Sequence, residues 1–401
     1  MAEALTQEIQ FSDQERIKAE QALTMSQIVF RQFVEHKLAV AGLISIIILS
    51  LIALGAPLIQ KATGLNPDAQ NVFSRFQPFM TRVSVAQDQK EIVVEKFIAE
   101  NPGLAQALSD SLVSKEIFPG VASTDVLYEL VTQKTKGEIL TILKAERKEN
   151  TIGLIEQVRG FETLHVLGTD ELGRDVLIRV IYGARVSLGV GILVALAAGI
   201  VGLLIGSLAG FYGGFVDNAL MRVTDALLSL PIMPILIVVS AIDLNKIGFL
   251  RFIMDSENQS ILKLVFCICA FSWMTTARLV RGSILSLRER EFILAAKTLG
   301  AKDSTIIVRH MFPNVIAPLL VSVTLGVGSS ILFEAALSYL GLGVQPPTPS
   351  WGNMLFNAQE LIYEAPLLTI IPGLLILITT ISFNYLGDGL QDAIDPKAIR
   401  R

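Results

Sequence analysis

The sequence predicts an all-α, polytopic membrane protein with six transmembrane helices, and three observations lead to that prediction. First, 52% of the 401 residues are hydrophobic and only 17% are charged. Second, the charges are concentrated at the two ends of the chain, in a region after the first apolar run and in a central loop. Third, the uncharged segments between them reach the ~20 apolar residues that a helix needs to cross a bilayer. The net charge of −4 gives no reason to expect a nucleic-acid partner.

Residues 1–37 form a polar tail with helical tendency. The uncharged run 38–59 follows directly after the basic residue Lys37 and is long enough to be the first transmembrane helix. Lys and Arg beside a span are retained in the cytoplasm during insertion, so we expect the N-terminus there. We expect no cleavable signal peptide, because this run starts late and is too long for one.

Residues 60–164 have a different character, with mixed charge and short amphipathic patterns that Pro-containing breakers separate. Apolar residues recur at helical spacing within each pattern, which predicts helices. The patterns cover Gln87–Glu100, Gly103–Glu116, Asp125–Gln133 and Gly137–Arg147. We therefore expect a small folded, α-rich, extracytoplasmic insert between the first and second transmembrane helices.

The segment Leu164–Leu188 leads into the second span, and its charges depart from the usual distribution. It places three arginines on the predicted outer side, where Lys and Arg are ordinarily depleted. Those arginines are Arg174, Arg179 and Arg185, and the nearby acids Asp170, Glu171 and Asp175 offset them. Two interpretations remain open: an outer gate or docking surface, and a solvated interfacial helix whose charges pair with each other.

The second span lies in the uncharged run Val186–Val216, where glycine recurs every fourth residue at Gly202, Gly206 and Gly210. This spacing puts a smooth stripe on one helix face and lets another helix approach closely. Tight helix packing is one interpretation of the stripe. A moving surface that lines a pathway is the other.

The remaining spans follow from hydropathy. The third is expected around Ala226–Ile242, with Pro231 and Pro234 kinking its first turns, and a polar outer loop covers 243–259. The fourth covers about Ser260–Ala277. The five spans that follow the insert lie within 165–386.

The fifth span is expected at Met311–Phe333, with Glu334 at its outer boundary, and the sixth at Ala365–Leu386. Residues 335–359 between them contain too much Pro and Gly for a lipid-facing helix, so we expect an outer loop. Trp351 would anchor a short interfacial helix in that loop. The basic tail 387–401 places the C-terminus in the cytoplasm.

The central stretch 278–314 is the most cationic part of the carboxyl-terminal half and is expected on the cytoplasmic surface. Good helix formers fill Leu287–Leu299, Gly300 is placed to end that helix in a left-handed conformation, and Asp303 or Ser304 can cap the next helix. Its charged residues are Arg278, Arg281, Arg288, Glu289, Arg290, Glu291, Lys297, Lys302, Asp303 and Arg309.

The sequence lacks recognisable motifs for catalysis, nucleotide binding or metal binding. No phosphate-binding GxxxxGK[ST] loop occurs, and the three histidines are scattered without metal-ligand spacing. Cys267 and Cys269 lie in one apolar run and face different directions on a helix, so we expect neither a disulfide nor a metal site. The spans are nearly free of ionisable groups, unlike those of ion-coupled carriers, so a transporter of this kind needs energy from elsewhere. No substrate-binding residue can be identified.

The run EFILAAKTLGAKDSTIIVRHMFPN resembles the cytoplasmic coupling loop of ABC-importer permeases. In that loop Glu-Ala-Ala, a Gly four residues on and a downstream hydrophobic-Pro recur, and Ala295, Ala296, Gly300 and Pro313 fall at matching positions. Leu294 stands where the family has Glu, and Phe312 where Leu is usual. The resemblance implies that these residues contact an ATPase subunit, with Glu291, one turn earlier, as our candidate for the acidic contact.

The segments LGTDELGRDVLIRVIYGARVSL and NYLGDGLQDAIDP resemble the dipeptide/oligopeptide branch of that family, whose members also handle nickel and some sugars. The resemblance implies a non-catalytic pore subunit of an ATP-driven importer in a bacterial inner membrane, with 278–314 as its coupling loop. It also implies a second similar permease, two cytoplasmic ATPase subunits that bind the ATP and Mg, and an extracytoplasmic solute-binding protein. This chain would carry no cofactor and would contact membrane lipid. The alternative is an autonomous secondary transporter or membrane scaffold.

Overall fold

The computed structural model describes residues 25–63, 65–71, 74–84, 87–115, 117–146, 148–159, 162–242 and 259–394. These residues form two compact units. The membrane unit contains Met1–Leu54, Gly183–Leu361 and Thr369–Arg401, and the insert unit contains Gly55–Tyr182 and Ile362–Leu368. Most of the predicted N-terminal tail (1–24), of the polar outer loop (243–258) and the end of the C-terminal tail (395–401) lie outside the described residues.

Helices dominate the described chain, and two short strands pair antiparallel. The helices are α1 Met25–Glu35, α2 Lys37–Leu54, α3 Ala56–Thr63, α4 Gln87–Glu100, α5 Pro102–Ser114, α6 Val126–Gln133, α7 Lys136–Ala145, α8 Lys148–Arg159, α9 Val176–Tyr212, α10 Gly214–Leu228, α11 Ile232–Ala241, α12 Gln259–Arg288, α13 Glu291–Thr298, α14 Asp303–Tyr339, α15 Ala358–Glu364 and α16 Pro366–Ile394. The strands are β1 Thr81–Ser84 and β2 Glu162–His165, with Thr81 opposite His165.

Five helices, α2, α9, α12, α14 and α16, are long and apolar enough to cross a membrane. Helices α10 and α11 together count as a sixth span if they are taken as one, but the chain bends by 88° between them. The span predicted around Ala226–Ile242 is therefore interrupted at residues 229–231, where the sequence predicted only kinked first turns. Pro231 lies at the break, where proline has no backbone N–H to continue the hydrogen-bond ladder and its ring clashes with the preceding turn.

The glycine stripe of α9 packs against α12. A Cβ atom at Gly206 would lie 2.4 Å from the carbonyl oxygen of Ala277, and one at Gly210 would lie 2.8 Å from Cβ of Ile284. Gly202 meets α12 equally closely. Only hydrogen at these positions allows the two backbones to come this near, so the stripe is a helix-packing surface in this structure.

The insert unit has its own apolar core, which α4 to α8 enclose. The helix predicted at Gln87–Glu100 has those bounds, whereas α8 and the strand pair were not predicted from the sequence. A capping box starts α7: the Thr135 side chain accepts from the Glu138 amide and the Glu138 carboxylate accepts from the Thr135 amide. The core side chains include Val94, Phe97, Leu108, Leu112, Leu127, Leu130, Ile139, Leu143 and Leu154.

Two predictions about the end of α14 are wrong. The helix does not end at Phe333 but continues to Tyr339, so Glu334 lies inside it and is fully buried. Trp351 is not an interfacial anchor, because it too is fully buried, in a cluster of the membrane unit that includes Leu188 and Ile331. The chain after α14 folds back into the unit instead of forming a surface loop.

Candidate functional site

The cationic stretch folds as a short helix between two long ones, not as the continuous helix predicted over Leu287–Leu299. α12 ends at Arg288, and Arg290 has an extended backbone (ψ 143°) before α13 begins. Arg290 is the N-cap residue, and its carbonyl accepts from the amides of Ile293 and Leu294. The break reorients the chain, so that α13 presents a different face to the membrane unit than a continuation of α12 would.

The left-handed end predicted at Gly300 is confirmed, with φ +78°. The Gly300 amide donates to the Lys297 carbonyl at 3.0 Å and the Ala301 amide donates to the Ala296 carbonyl at 3.1 Å. These two bonds make a Schellman motif, which ends α13 after Thr298. The N-cap position of the next helix is occupied by Lys302, which makes no side-chain capping hydrogen bond, and not by Asp303 or Ser304 as predicted.

Ile293 fastens α13 to the membrane unit. Its side chain is 0% exposed and belongs to a buried cluster contributed by α9, α12 and α14. The other buried members are Phe211, Val280, Ile284, Ile306, Met311 and Val315. α13 therefore packs directly against three of the membrane-capable helices.

Most other residues of α13 and the residue that follows it are exposed, and several of their side chains are apolar. Phe292 is 46% exposed, Leu294 is 50% exposed and Leu299 is 87% exposed, and Ala295 is also exposed. Ala296 instead packs partly against the Ile293 cluster. Of the two alanines expected to contact a partner, Ala295 thus offers the more accessible side chain. Glu291 is exposed in the first turn.

The basic residues of α12 bind acids of their own chain. Arg281 donates to both oxygens of Asp217 on α10, with Nη2–Oδ2 at 2.6 Å, and Arg278 binds Asp225, with Nε–Oδ1 at 3.0 Å. Arg278 and Arg281 are therefore already paired with acids within this chain. These two pairs join α10 to α12.

Two further basic side chains contact Phe211, near the end of α9. Its carbonyl accepts from Nη1 of Arg288 at 3.4 Å, and Nζ of Lys297 lies 5.1 Å from its ring centroid. A cation above an aromatic face is attracted by the negative π surface. Lys297 therefore adds a polar contact between α13 and α9 beside the apolar one.

Pro313 follows a π-helical turn, Ile306–Met311, at the start of α14. The Phe312 amide donates to the Ile307 carbonyl five residues back, and Pro313 has no amide for the ladder. Such turns within helices often mark functional sites. Pro313 itself is exposed.

In the insert unit, four charged residues of the Leu164–Leu188 segment, Asp170, Arg174, Asp175 and Arg179, are buried or nearly buried and pair within the unit, whereas Arg185 of the same segment is exposed. Asp170 accepts from Nε of Arg174 at 2.7 Å and lies 3.4 Å from Nε of Arg179. Asp175 caps α9 and contacts Nδ1 of His165 at 2.7 Å. Sequence analysis missed the contact between Asp175 and His165. The capping role of Asp175 did have a signal, because an Asp directly before a long apolar helix is a typical N-cap.

Among the residues that the structure describes, no group of three His, Cys, Asp or Glu side chains could hold a metal ion. The described residues also offer no arrangement that would identify a substrate. The candidate site is therefore α13 with the cluster beneath it.

A sequence model of the family described as binding-protein-dependent transport system inner membrane component matches residues 202–400. A second model, the N-terminal TM domain of oligopeptide transport permease C, matches residues 24–78.

A dipeptide transport system permease protein of Alkalihalophilus pseudofirmus is 40% identical over 241 residues, which are 60% of this chain and 75% of the relative. A glutathione transport system permease protein of Pectobacterium atrosepticum is 40% identical over 238 residues, 59% of this chain and 74% of the relative. Among solved structures, the methionine ABC transporter MetNI in inward-facing conformations is 17% identical, with a TM-score of 0.42 over 55% of this chain and 97% of that chain.

Proposed function

We propose that this chain, which belongs to the family of binding-protein-dependent transport system inner membrane components, forms half of the transmembrane pore of an ATP-driven importer. It is a multi-pass inner-membrane permease, and its family works with ATPase and solute-binding partners. In the proposed complex the second half of the pore is a similar permease, two ATPase subunits lie in the cytoplasm, and a solute-binding protein docks on the other side.

The contrast between the buried Ile293 and the exposed apolar residues around it on α13 is the observation that carries this proposal. Ile293 is buried in a cluster with three membrane-capable helices, whereas Phe292, Leu294 and Leu299 are exposed apolar side chains on a predicted cytoplasmic surface. Exposed apolar patches mark interaction sites. An ATPase subunit that binds the exposed side chains would move the spans, because the contacts of Ile293 connect α13 to them.

Energy input is assigned to the partners. ATP and Mg would be bound by the ATPase subunits, and this chain would convert their movement into alternating access without making or breaking a bond. α13 with its Schellman end is the moving part in this proposal, in place of the longer lever expected over Leu287–Gly300. Glu291 remains our candidate for the acidic contact that Leu294 does not supply.

Peptides are the proposed substrate class. Relatives that are 40% identical are named for dipeptide and glutathione transport, both of which are small peptidic solutes. The solute-binding protein would select among them.

Leu294→Asp tests the coupling role, with Ser286→Asp as the matched control. Both residues are exposed, but only Leu294 lies on α13. In reconstituted complexes we expect Leu294→Asp to lower ATPase-subunit retention and stimulated ATP hydrolysis at least tenfold, and Ser286→Asp to leave both near the parent level. Normal values with Leu294→Asp would overturn the coupling role. Transport by the purified chain without ATPase subunits or ATP would favour the autonomous alternative.

A further inference from the structure

Glu334 is a carboxylate buried inside the membrane unit in the last turns of α14, and its surroundings are unusual. It is 0% exposed, and its partners in the described part of the chain are three serine hydroxyls. Ser338 donates to Oε1 at 2.9 Å, Ser187 donates to Oε2 at 3.0 Å, and Ser350 also hydrogen-bonds the carboxylate. Burying a carboxyl group costs free energy unless hydrogen bonds satisfy its oxygens, so an arrangement in which three hydroxyls bond it indicates a specific role.

Each serine hydroxyl also accepts a hydrogen bond from a backbone amide of the segment after α14, and so forms a relay between that amide and Glu334. Ser187 accepts from the Trp351 amide at 3.1 Å, and Ser338 accepts from the Val344 amide at 3.1 Å. Ser350 accepts from the Asn353 amide at 3.0 Å. Three relays therefore converge on one carboxylate and fix the fold-back segment, residues 340–357, at three points.

The same segment is also tightly packed against its neighbours. A Cβ at Gly352 would lie 2.7 Å from Cα of Ala335, and one at Gly183 would lie 3.1 Å from Cδ1 of Trp351. Trp351 and Val344 are buried in the core of the membrane unit. The glycines provide the space and Glu334 provides the acceptors.

We propose that Glu334 is a positioning residue for transport, which latches the fold-back segment to α9 through Ser187 and to α14 through Ser338. The segment then moves with these two spans as one body instead of acting as a flexible loop. Under the proposed function it lies on the side where the solute-binding protein docks. Release of the latch would therefore impair the productive engagement of that protein while the α13 site stays intact. The transport part of this inference rests on the proposed function, and the latch itself does not.

The latch is tested by cysteine labelling in the assembled complex. In a background with Cys267 and Cys269 replaced by Ala, Val344→Cys reports on a buried position of the segment and Gln345→Cys on an exposed neighbour. We expect a membrane-impermeant maleimide to label the Gln345 reporter in every variant. We expect labelling of the Val344 reporter to rise at least tenfold with Glu334→Ala or Glu334→Gln, and to return most of the way with Glu334→Asp.

Glu360→Gln is the matched control, because it removes a carboxylate from an exposed position near the same segment. It should leave labelling unchanged. If Glu334→Ala does not assemble, Ser187→Ala and Ser350→Ala each remove one relay and should raise labelling by a smaller factor. Unchanged labelling of Val344→Cys in all these variants would overturn the latch.

Transport supplies a second readout. With Glu334→Gln we expect the concentration of loaded solute-binding protein for half-maximal ATPase stimulation to rise several-fold, with a smaller change in the maximal rate. A purely structural defect would lower the maximal rate and assembly together, and that result would overturn the positioning role. If no solute-binding protein stimulates the parent complex, the proposed function fails, but the labelling result still decides whether the latch exists.

Discussion

Ile293→Ala is the sharpest test of how α13 is attached, and Leu294→Ala is its neighbour control. Ile293 is completely buried and Leu294 is half exposed, although one peptide bond separates them. If packing on the cluster holds α13 in place, the two truncations must have different effects on that attachment. The comparison keeps the helix, the charge and the loss of apolar volume nearly constant.

The expected magnitude follows from the buried volume. Truncation of Ile to Ala removes three carbons, at about 0.8 kcal/mol for each, and the cavity that remains adds to this, for a total of about 2.5–4 kcal/mol. Since every 1.4 kcal/mol is a tenfold change, local opening of α13 should increase roughly 10²- to 10³-fold. Leu294→Ala should cost about 1 kcal/mol or less, because much of that side chain is already in contact with solvent.

Hydrogen exchange of the α13 amides measures this opening, with the permease purified away from any ATPase subunits so that only its own packing contributes. Ile293→Ala should reduce the protection of α13 and leave the amides of α9 and α16 protected. Equal loss of protection with Leu294→Ala, or no loss with Ile293→Ala, would refute the argument that the buried cluster anchors the helix.

Two further predictions concern α9 and the insert unit. Gly206→Ala should lower stability and assembly, since the new Cβ would lie 2.4 Å from a backbone oxygen, whereas Gly282→Ala on α12 meets nothing within 4 Å and should be neutral or stabilising in thermal unfolding. Burial tends to raise the pKa of Glu146, but hydrogen bonds from Lys115 and Ser111 outweigh it and lower that pKa below its usual value. The stability from this carboxylate is therefore present above its usual pKa and is lost as the pH falls through the lowered value. Hydrogen exchange of α5 and α7, corrected for intrinsic pH dependence, should show that loss, and Lys115→Met should reduce it; an equal pH dependence in the variant would contradict the assignment.

The sequence predicted most of the span architecture, because a helix in a bilayer must be long, apolar and continuous. Those requirements leave a signal in composition alone. Gly300 was predictable for a related reason, since a left-handed residue at the end of a helix favours glycine. Local conformation and hydropathy are properties of neighbouring residues, which a single sequence records.

The failures concern contacts between residues far apart in the chain. The break before α13 depends on where Ile293 finds its cluster, whose members come from three other segments. Helix propensity over Leu287–Leu299 contains no information about that cluster. Pro231 was recognised as a disruption, but a proline in the sequence does not specify the 88° angle between α10 and α11.

Glu334 and Trp351 show the same limitation from the other direction. A Glu beside an uncharged run, followed by a Pro- and Gly-rich stretch with one Trp, is typical of a span end and an interfacial loop. In the structure this Glu is buried and hydrogen-bonded to three serines, at positions 187, 338 and 350. No local pattern could have assigned them to a common site.

α14 connects the two sites of the membrane unit. Its first turns contribute Ile306 and Met311 to the cluster beneath α13, and its last turns contain Glu334 and Ser338. Between them the helix contains Pro318, which cannot donate to the ladder and weakens it near the π-helical turn. We therefore expect the stretch from the π-helical turn to Pro318 to absorb bending, while the segment beyond it carries the latch as a stiff unit. A movement received at α13 would reach the fold-back segment through this helix, without a separate mobile loop on the far side.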